Sequence, residues 1–171
     1  MNTQQTVKMQ NALWQGSLGA MMDECDEGAL HKTLPQATVT SIASIYAHAI
    51  FSEDFITQGM LKGTAPIYKT DGWEAKTGVA MPATPGMNPE WAATVKMDLP
   101  AFREYAKAVH AATNAYLDSV SDADLQTKLQ TPIGEQTKEW VVANLLGTHL
   151  PQHAGEIAAL KGVQGLKGLP F

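Results

Sequence analysis

The stretch GTHLPQHAGEIAAL, residues 147–160, places two histidines four residues apart with a proline between them. Side chains four residues apart lie on one face of a helix, with about 5–6 Å between their Cβ atoms. If this stretch is helical, His149 and His153 can therefore share one metal ion. Two ordinary helix histidines can have the same spacing, so the pair alone leaves both interpretations open.

Outside this stretch the hydrophobic pattern is also helical. Apolar residues recur at helical spacing over 5–26, 40–60, 99–120 and 137–161, and strand-like alternation is almost absent. Four helices of about 20 residues favour an all-α four-helix bundle. Because 171 residues suffice for a sizeable core, we expect residues 1–171 to form a single domain.

The segment 61–98, between the second and third helices, has a different composition. Its prolines and glycines alternate, and these residues remove amide donors and raise the entropic cost of ordering. We therefore expect a long loop without a long regular element. A connection of this length could cross the bundle, which would make the second and third helices run parallel. Trp73 and Trp91 are expected to anchor this loop over one end of the site, where the loop shapes the pocket, and contact with substrate is the alternative role for these side chains.

A weak internal repeat supplies a third histidine. GALHKTL…SIASIYAHAIFSEDFI resembles ADLQTKL…EWVVANLLGTHLPQHAGEI, and the alignment pairs His48 with His149. The neighbours of His48 on its own helical face are mostly apolar, so His48 is expected to point inward. Three imidazoles from facing helices would suit a Zn, Ni, Fe or Cu ion and leave one coordination position open. A core histidine that only packs is the competing interpretation.

Carboxylates near these histidines are candidates for supporting roles. Glu156 lies three residues after His153 and can orient an imidazole by accepting its second N–H, although a solvated helix glutamate is an equal alternative. Glu53 and Asp54 are weaker candidates for such a role. Glu156 or Asp71 could instead fill the fourth position, which would make the metal structural.

Three further side chains are expected to be structural. We expect His31 and His110 to lie at the surface or at helix ends. Cys25 is expected to pack as a small hydrophobic residue near the end of the first helix.

Pro151 allows two interpretations of the last helix. Proline in a helix interior typically costs about 3 kcal/mol and kinks the axis, because it lacks an N–H and clashes with the preceding turn. The helix could instead break at Gly147 and restart with Pro151 in its first turn, which would take the histidine pair off one face. We favour a kinked continuous helix, since apolar residues on both sides continue one buried run.

Composition and charge exclude several classes of protein. The formal net charge of −5 argues against binding to nucleic acid or to an anionic membrane surface. No apolar run reaches the roughly 18–20 residues that cross a bilayer, and we expect no signal peptide at the N-terminus. A single cysteine cannot form an internal disulfide, so a cytoplasmic protein is expected.

Familiar catalytic patterns are missing around the histidine pair. A zincin has glutamate directly after the first histidine of H-E-x-x-H, whereas this chain has Leu150. The sequence also contains no visible Ser-His-Asp arrangement, phosphate-binding loop or dinucleotide-binding fingerprint. Any reaction would therefore depend on the metal, as a Lewis acid or by lowering the pKa of a bound water or thiol.

The sequence resembles the DinB-like superfamily of bacterial four-helix bundles, which includes bacillithiol transferases and the mycothiol-dependent maleylpyruvate isomerase type. The resemblance rests on IYAHAIFSEDF, DGWEAK, PEWAA, LPAFREYAKAV, SDADL and, most specifically, GTHLPQHAGEIAALKGVQGLKGLPF. It implies that His48, His149 and His153 bind one divalent metal ion, and that the protein assembles as a homodimer.

Three functions from different classes follow. The first is a metal-dependent enzyme that transfers a low-molecular-weight thiol to a small electrophilic substrate, or a related isomerase or hydrolase that uses Zn, Ni or Fe. The second is a non-catalytic, stress-related protein that binds a metal or small molecule. The third is a scaffold whose histidines only pack. Metal content separates the third from the others, and turnover with a thiol separates the first two.

Overall fold

Helices dominate the computed structural model, which describes residues 2–34, 40–83 and 86–171. The elements in chain order are α1 (Thr3–Asp23), α2 (Glu27–His31), α3 (Ile42–Asp54), a π-helical turn (Phe55–Leu61), α4 (Ile67–Thr70), α5 (Trp73–Thr77), α6 (Pro89–Thr94), α7 (Leu99–Ser119), α8 (Asp122–Leu125), β1 (Lys128–Thr131), β2 (Gly134–Thr137), α9 (Lys138–Val141), a second π-helical turn (Val142–Leu146) and α10 (Gly147–Val163). The predicted all-α fold is confirmed. None of the described helices is both long and apolar enough to cross a membrane.

The four long helices pack in a ring, in the order α1, α7, α3 and α10. Two ion pairs join α1 to α7 at opposite ends. Lys8 pairs with Asp118, and Arg103 pairs with Asp23. Because the start of each helix meets the end of the other, α1 and α7 are antiparallel.

The second and third long helices, α3 and α7, run in the same direction. Tyr46 near the start of α3 contacts Phe102 near the start of α7, with ring centroids 5.5 Å apart. Thr57, just after α3, hydrogen-bonds Thr113 in the second half of α7. The predicted crossover by segment 61–98, which leaves these helices parallel, is confirmed.

The first and last long helices are also parallel to each other. Val7 near the start of α1 packs against Gly147 at the start of α10. At the other end, the buried Lys161 of α10 donates a hydrogen bond to the carbonyl of Met21, at 2.8 Å. The helices α1 and α10 therefore run one way, and α3 and α7 run the other.

Helix α3 is the centre of the core. Every residue from Ile42 to Phe51 is buried, so this helix has no solvated face. An all-buried helix needs neighbours on every side, and the 61–98 segment covers the side that the other long helices leave open. Phe51, for example, packs edge-on against Tyr68 of α4, with ring centroids 4.8 Å apart.

The 61–98 segment consists of turns and the three short helices α4, α5 and α6, apart from positions 84 and 85, which lie outside the described residues. Trp73 packs on Tyr105 of α7 at 5.7 Å between ring centroids. Trp91 packs against Phe51 of α3 at 6.2 Å between ring centroids, and it donates its indole N–H to the carbonyl of Ala80 at 2.7 Å. The expectation that both tryptophans anchor this segment is confirmed.

A short hairpin precedes the last helix, which the hydrophobic pattern did not predict. Strands β1 and β2 pair antiparallel over only four residues each, from Lys128 opposite Thr137 to Thr131 opposite Gly134. Strands this short offer too few positions for a period-two pattern to be recognised. The hairpin brings the chain from α8 to the start of α9.

The last helical run is continuous through Pro151, which lies inside α10. Gly147 donates its N–H to the carbonyl of Val142, five residues back, so the chain widens into a π turn just before the proline. A Cβ on Gly147 would lie 3.3 Å from both that carbonyl and a methyl group of Val7. The predicted continuous helix is confirmed, and the alternative of a break at Gly147 is wrong.

Candidate metal centre

Three histidines from two helices converge in the bundle. His48 of α3 lies opposite His149 and His153 of α10, and one ring nitrogen from each lies within 4.8 Å of the other two. The ring centroids are 4.4 to 5.2 Å apart. Nitrogens on one tetrahedral ion are about 3.4 Å apart, given Zn–N bonds of about 2.1 Å. Small side-chain rotations would therefore place all three on a single ion.

The local structure explains why these side chains meet. The π turn and continuous α10 keep His149 and His153 one turn apart on the face that contacts α3. His48 lies in the fully buried part of α3, and only 8% of it is exposed. The predicted inward orientation of His48 is thus confirmed, and the cluster forms where two antiparallel helices cross.

Burial keeps two of these imidazoles uncharged. It lowers the pKa of His48 to about 4 and that of His149 to about 3, with further lowering by the neighbouring His153 in both cases. Glu156 partly opposes this effect at His48. Because metal binding requires a neutral imidazole, both side chains are in the ligating form at neutral pH.

Glu156 contacts the cluster through a hydrogen bond with His153. The distance from His153 Nδ1 to a Glu156 carboxylate oxygen is 2.7 Å. An ionised carboxylate only accepts, so Nδ1 carries the proton and Nε2 is the nitrogen available to an ion. Imidazoles that bind metals commonly have this partner. The geometry is the one predicted for an orienting carboxylate.

His149 carries an unsatisfied polar atom at the centre of the cluster. Its Nε2 is buried and has no hydrogen-bond partner among the described residues. Leaving a buried polar atom unpaired costs about 1–3 kcal/mol, which a bound ion would remove. The donor set is neutral imidazole, which Zn, Ni and Fe ions accept. The residues present therefore fit a divalent transition metal.

The acidic candidates other than Glu156 have different partners. Asp71 is exposed, accepts a hydrogen bond from the hydroxyl of Thr70 at 2.9 Å and is not in the histidine cluster. Asp54 is buried and holds the 61–98 segment on the bundle. It accepts hydrogen bonds from the backbone N–H groups of Ile67 and Tyr68 and from the hydroxyl of Tyr105.

Glu53, the other weak candidate, contacts a histidine outside the cluster. Its carboxylate lies 3.0 Å from Nδ1 of His110, in the middle of α7. The side chain of His110 is 16% exposed and lies in the middle of α7, so it is partly buried and the predicted helix-end position is wrong. No local pattern signals this pair, because its members are 57 residues apart and depend on the packing of α3 against α7.

His31 and Cys25 have the structural roles that were predicted. His31 ends α2, and its Nε2 accepts a hydrogen bond from the backbone N–H of Met97 at 3.0 Å. Cys25 is buried just after α1 and belongs to the hydrophobic core.

A pocket of about 220 Å³ opens beside His48. Phe51 of α3 and Phe55 of the π-helical turn after it form part of its wall, and Met81 of the 61–98 segment forms another part. Lys69 of α4 also lines it. The 61–98 segment shapes this pocket as predicted, but Trp73 and Trp91 are not among its lining residues and act only as anchors.

Comparison with known proteins identifies a family and a solved structure of similar fold. The family model of the DinB superfamily matches residues 12–157. The chain is similar in structure to a conserved protein from Enterococcus faecalis, with a TM-score of 0.81 and 18% sequence identity over 96% of this chain and 99% of that chain. At this identity the likeness concerns the fold. A search of curated proteins finds no match.

Proposed function

The chain belongs to the DinB superfamily, and we propose that it is a metal-dependent enzyme whose ligands are His48, His149 and His153. The reaction we propose is transfer of a low-molecular-weight thiol to a small electrophilic substrate, or a related isomerisation or hydrolysis. Imidazole ligands favour Zn, Ni or Fe as the ion.

The observation that carries this proposal is the buried, unpartnered Nε2 of His149 beside two other imidazoles. A histidine that serves only to pack would hydrogen-bond its polar atoms within the core. Here three ring nitrogens face one another instead, and burial keeps two of the rings from charging. This arrangement is suited to a cation and costs stability without one.

The side chains around the cluster have different roles in this proposal. When bound, the ion would supply Lewis acidity and lower the pKa of a water or thiol at its open position. Glu156 holds the proton of His153 at Nδ1 and so fixes the orientation of that ring. Phe51, Phe55 and Met81 line the pocket beside His48 and offer apolar contacts to a substrate.

The thiol in this proposal comes from outside the chain. Cys25 is buried in the hydrophobic core and is not part of the histidine cluster. Burial also raises the pKa of its thiol, which disfavours the nucleophilic thiolate. Lys69 at the pocket wall places a positive charge where a carboxylate of a thiol or substrate would be attracted.

Metal binding and thiol binding can be tested separately. Protein without a histidine tag is analysed for metal, then loaded with Co(II) and titrated with small thiols. One ion per chain and new sulfur-to-metal charge-transfer absorption are expected. His149→Ala should lose the ion, whereas His31→Ala, outside the cluster, should keep it. Full occupancy in the single variants of all three ligands would disprove the site, and an unchanged spectrum at saturating thiol would disprove thiol-dependent catalysis.

We also propose that residues 1–171 form one domain that assembles as a homodimer in the cytoplasm. The ring of contacts among α1, α3, α7 and α10 supports the single domain. A single cooperative unfolding transition and twice the chain mass by light scattering are the expected results.

A further inference from the structure

A second and larger depression lies between α1 and α7, and we call it the α1–α7 groove. Its volume is about 670 Å³, within the range typical of small-molecule sites. It is lined by side chains of both helices and by Tyr46 of α3. It shares no lining residue with the pocket beside His48, so the metal centre does not account for it.

His110 lines this groove and is held by a buried carboxylate. Glu53, only 1% exposed, accepts from His110 Nδ1 at one oxygen and from the Gln15 side-chain amide at the other, each at 3.0 Å. Since Nδ1 carries the proton that faces Glu53, Nε2 of His110 is the ring nitrogen left for a ligand. A carboxylate that fixes the tautomer of a histidine in this way prepares the other nitrogen to accept a hydrogen bond.

Tyr46 adds a second polar group to the groove. This residue lines the groove and is only 2% exposed. Its hydroxyl can both donate and accept a hydrogen bond, so a ligand seated in the groove can contact it.

Small and apolar residues form another part of the groove. Gly16 and Gly19 of α1 line it, and no atom lies within 4 Å of the position that a Cβ on either would occupy. The space over these two glycines is therefore open. It can receive the flat apolar face of a ligand.

The four charged side chains that line the groove form two ion pairs, and the charge of Glu53 lies buried behind His110. Arg103 pairs with Asp23, and Lys107 pairs with Glu104, both at 2.6 Å. Neither ion pair leaves a charge that demands a charged ligand. An uncharged molecule is therefore the best electrostatic match.

We propose that the α1–α7 groove is a second binding site, for an uncharged small molecule with an apolar face and an amide or hydroxyl group. The ligand's N–H or O–H donates to Nε2 of His110, its acceptor receives the hydroxyl of Tyr46, and its apolar face lies over Gly16 and Gly19. This site is independent of the metal centre.

Benzamide is a suitable probe, because it joins an apolar ring to an uncharged amide. Benzoate and benzylammonium are charged controls of similar size. Each is titrated into ¹⁵N-labelled protein, with backbone shifts and the side-chain nitrogens of His110 as the readout. Benzamide should shift Gly16, Gly19 and His110 saturably, and both charged analogues should bind at least about tenfold more weakly.

Variants locate the site without disturbing the core. Gly19→Leu fills the open space and should weaken benzamide binding at least about tenfold, while Gly162→Leu, an open helix glycine of α10 outside the groove, should leave it unchanged. Tyr46→Phe should weaken benzamide binding about threefold to tenfold through loss of one hydrogen bond. Absence of saturable shifts in the groove, equal binding of benzoate, or full binding by Gly19→Leu would overturn the proposal.

Discussion

His153 donates its Nδ1 proton to Glu156, 2.7 Å away and one turn further along α10. This bond fixes the tautomer of His153 and leaves Nε2 for the ion. Glu156 is about half exposed, so the bond contributes little to folding and acts mainly on the imidazole.

Replacing Glu156 by Ala is therefore expected to weaken metal affinity about tenfold to a hundredfold, as is typical when an orienting partner of a ligand is lost. Glu156→Gln should lie between this variant and the unchanged protein, because an amide oxygen still accepts. Competition with a chromogenic chelator measures the affinities. Glu90→Ala, on α6, is the control. If Glu156→Ala binds the metal as tightly as the unchanged protein does, Glu156 has no role in metal binding.

The metal-free protein should lose stability as the pH falls below neutrality. In the unfolded chain His48 and His149 take up protons near pH 6.5, whereas in the fold their pKa values are about 4 and about 3. The unfolded state therefore binds more protons from about pH 6.5 down to about 4 for His48 and about 3 for His149, and stability present above pH 6.5 is lost across this window. From pH 7.5 to 5.5 the expected loss is about 1 kcal/mol for each histidine.

Urea unfolding of chelator-treated protein at several pH values tests this prediction. The variant His149→Gln cannot take up the proton. Between about pH 7.5 and 5.5 its free energy of unfolding should therefore fall by about 1 kcal/mol less than that of the unchanged protein. Parallel pH dependence in the two proteins would contradict the burial-driven shift at His149.

Asp54 should be essential for the position of the 61–98 segment. Asp54→Ala leaves the N–H groups of Ile67 and Tyr68 and the hydroxyl of Tyr105 without their acceptor. A loss of about 2–4 kcal/mol in the free energy of unfolding is expected, together with faster proteolysis within the segment. Asp71→Ala, at an exposed site in the same segment, should change stability by less than about 0.5 kcal/mol. Equal protease resistance in both variants would rule out the anchoring role.

Two glycines of α10 should respond differently to the same substitution. Gly147→Ala places a methyl group 3.3 Å from the carbonyl of Val142 and from a methyl of Val7, and this crowding is expected to cancel the roughly 1 kcal/mol that alanine contributes through helix propensity. Gly155→Ala meets nothing within 4 Å and should stabilise it by about 0.5–1 kcal/mol through helix propensity. Thermal unfolding of both variants tests the close approach of α1 to α10. If both substitutions stabilise the protein equally, the close approach at Gly147 is contradicted.

The three histidines of the cluster could not be predicted equally well from the sequence. The pairing of His149 with His153 follows from a four-residue spacing, because the geometry of one helix is local. The contribution of His48 required the internal repeat and the family resemblance, since no spacing links it to residues a hundred positions away. That all three bind an ion stays a prediction.

Other features had no signal in the sequence. The Glu53–His110 pair and the hydrogen bonds of Asp54 join residues that are distant along the chain, and a lone carboxylate on a helix looks the same whether it is solvated or buried. Neither was predictable without the packing of α3 against its neighbours.

Helix positions, the crossover segment and the pair on α10 could be predicted from the sequence, because 3.6-residue periodicity and the backbone effects of proline and glycine act over a few residues. Tertiary packing decided between alternative structures that the local sequence pattern left open. Pro151 permitted either a continuous or a broken helix, and the contact of Gly147 with Val7 accompanies the continuous form. The buried partners of Glu53 and Asp54 likewise arise only when three helices and the 61–98 segment exclude water around α3, since burial of a charge requires a partner that sequence distance does not reveal.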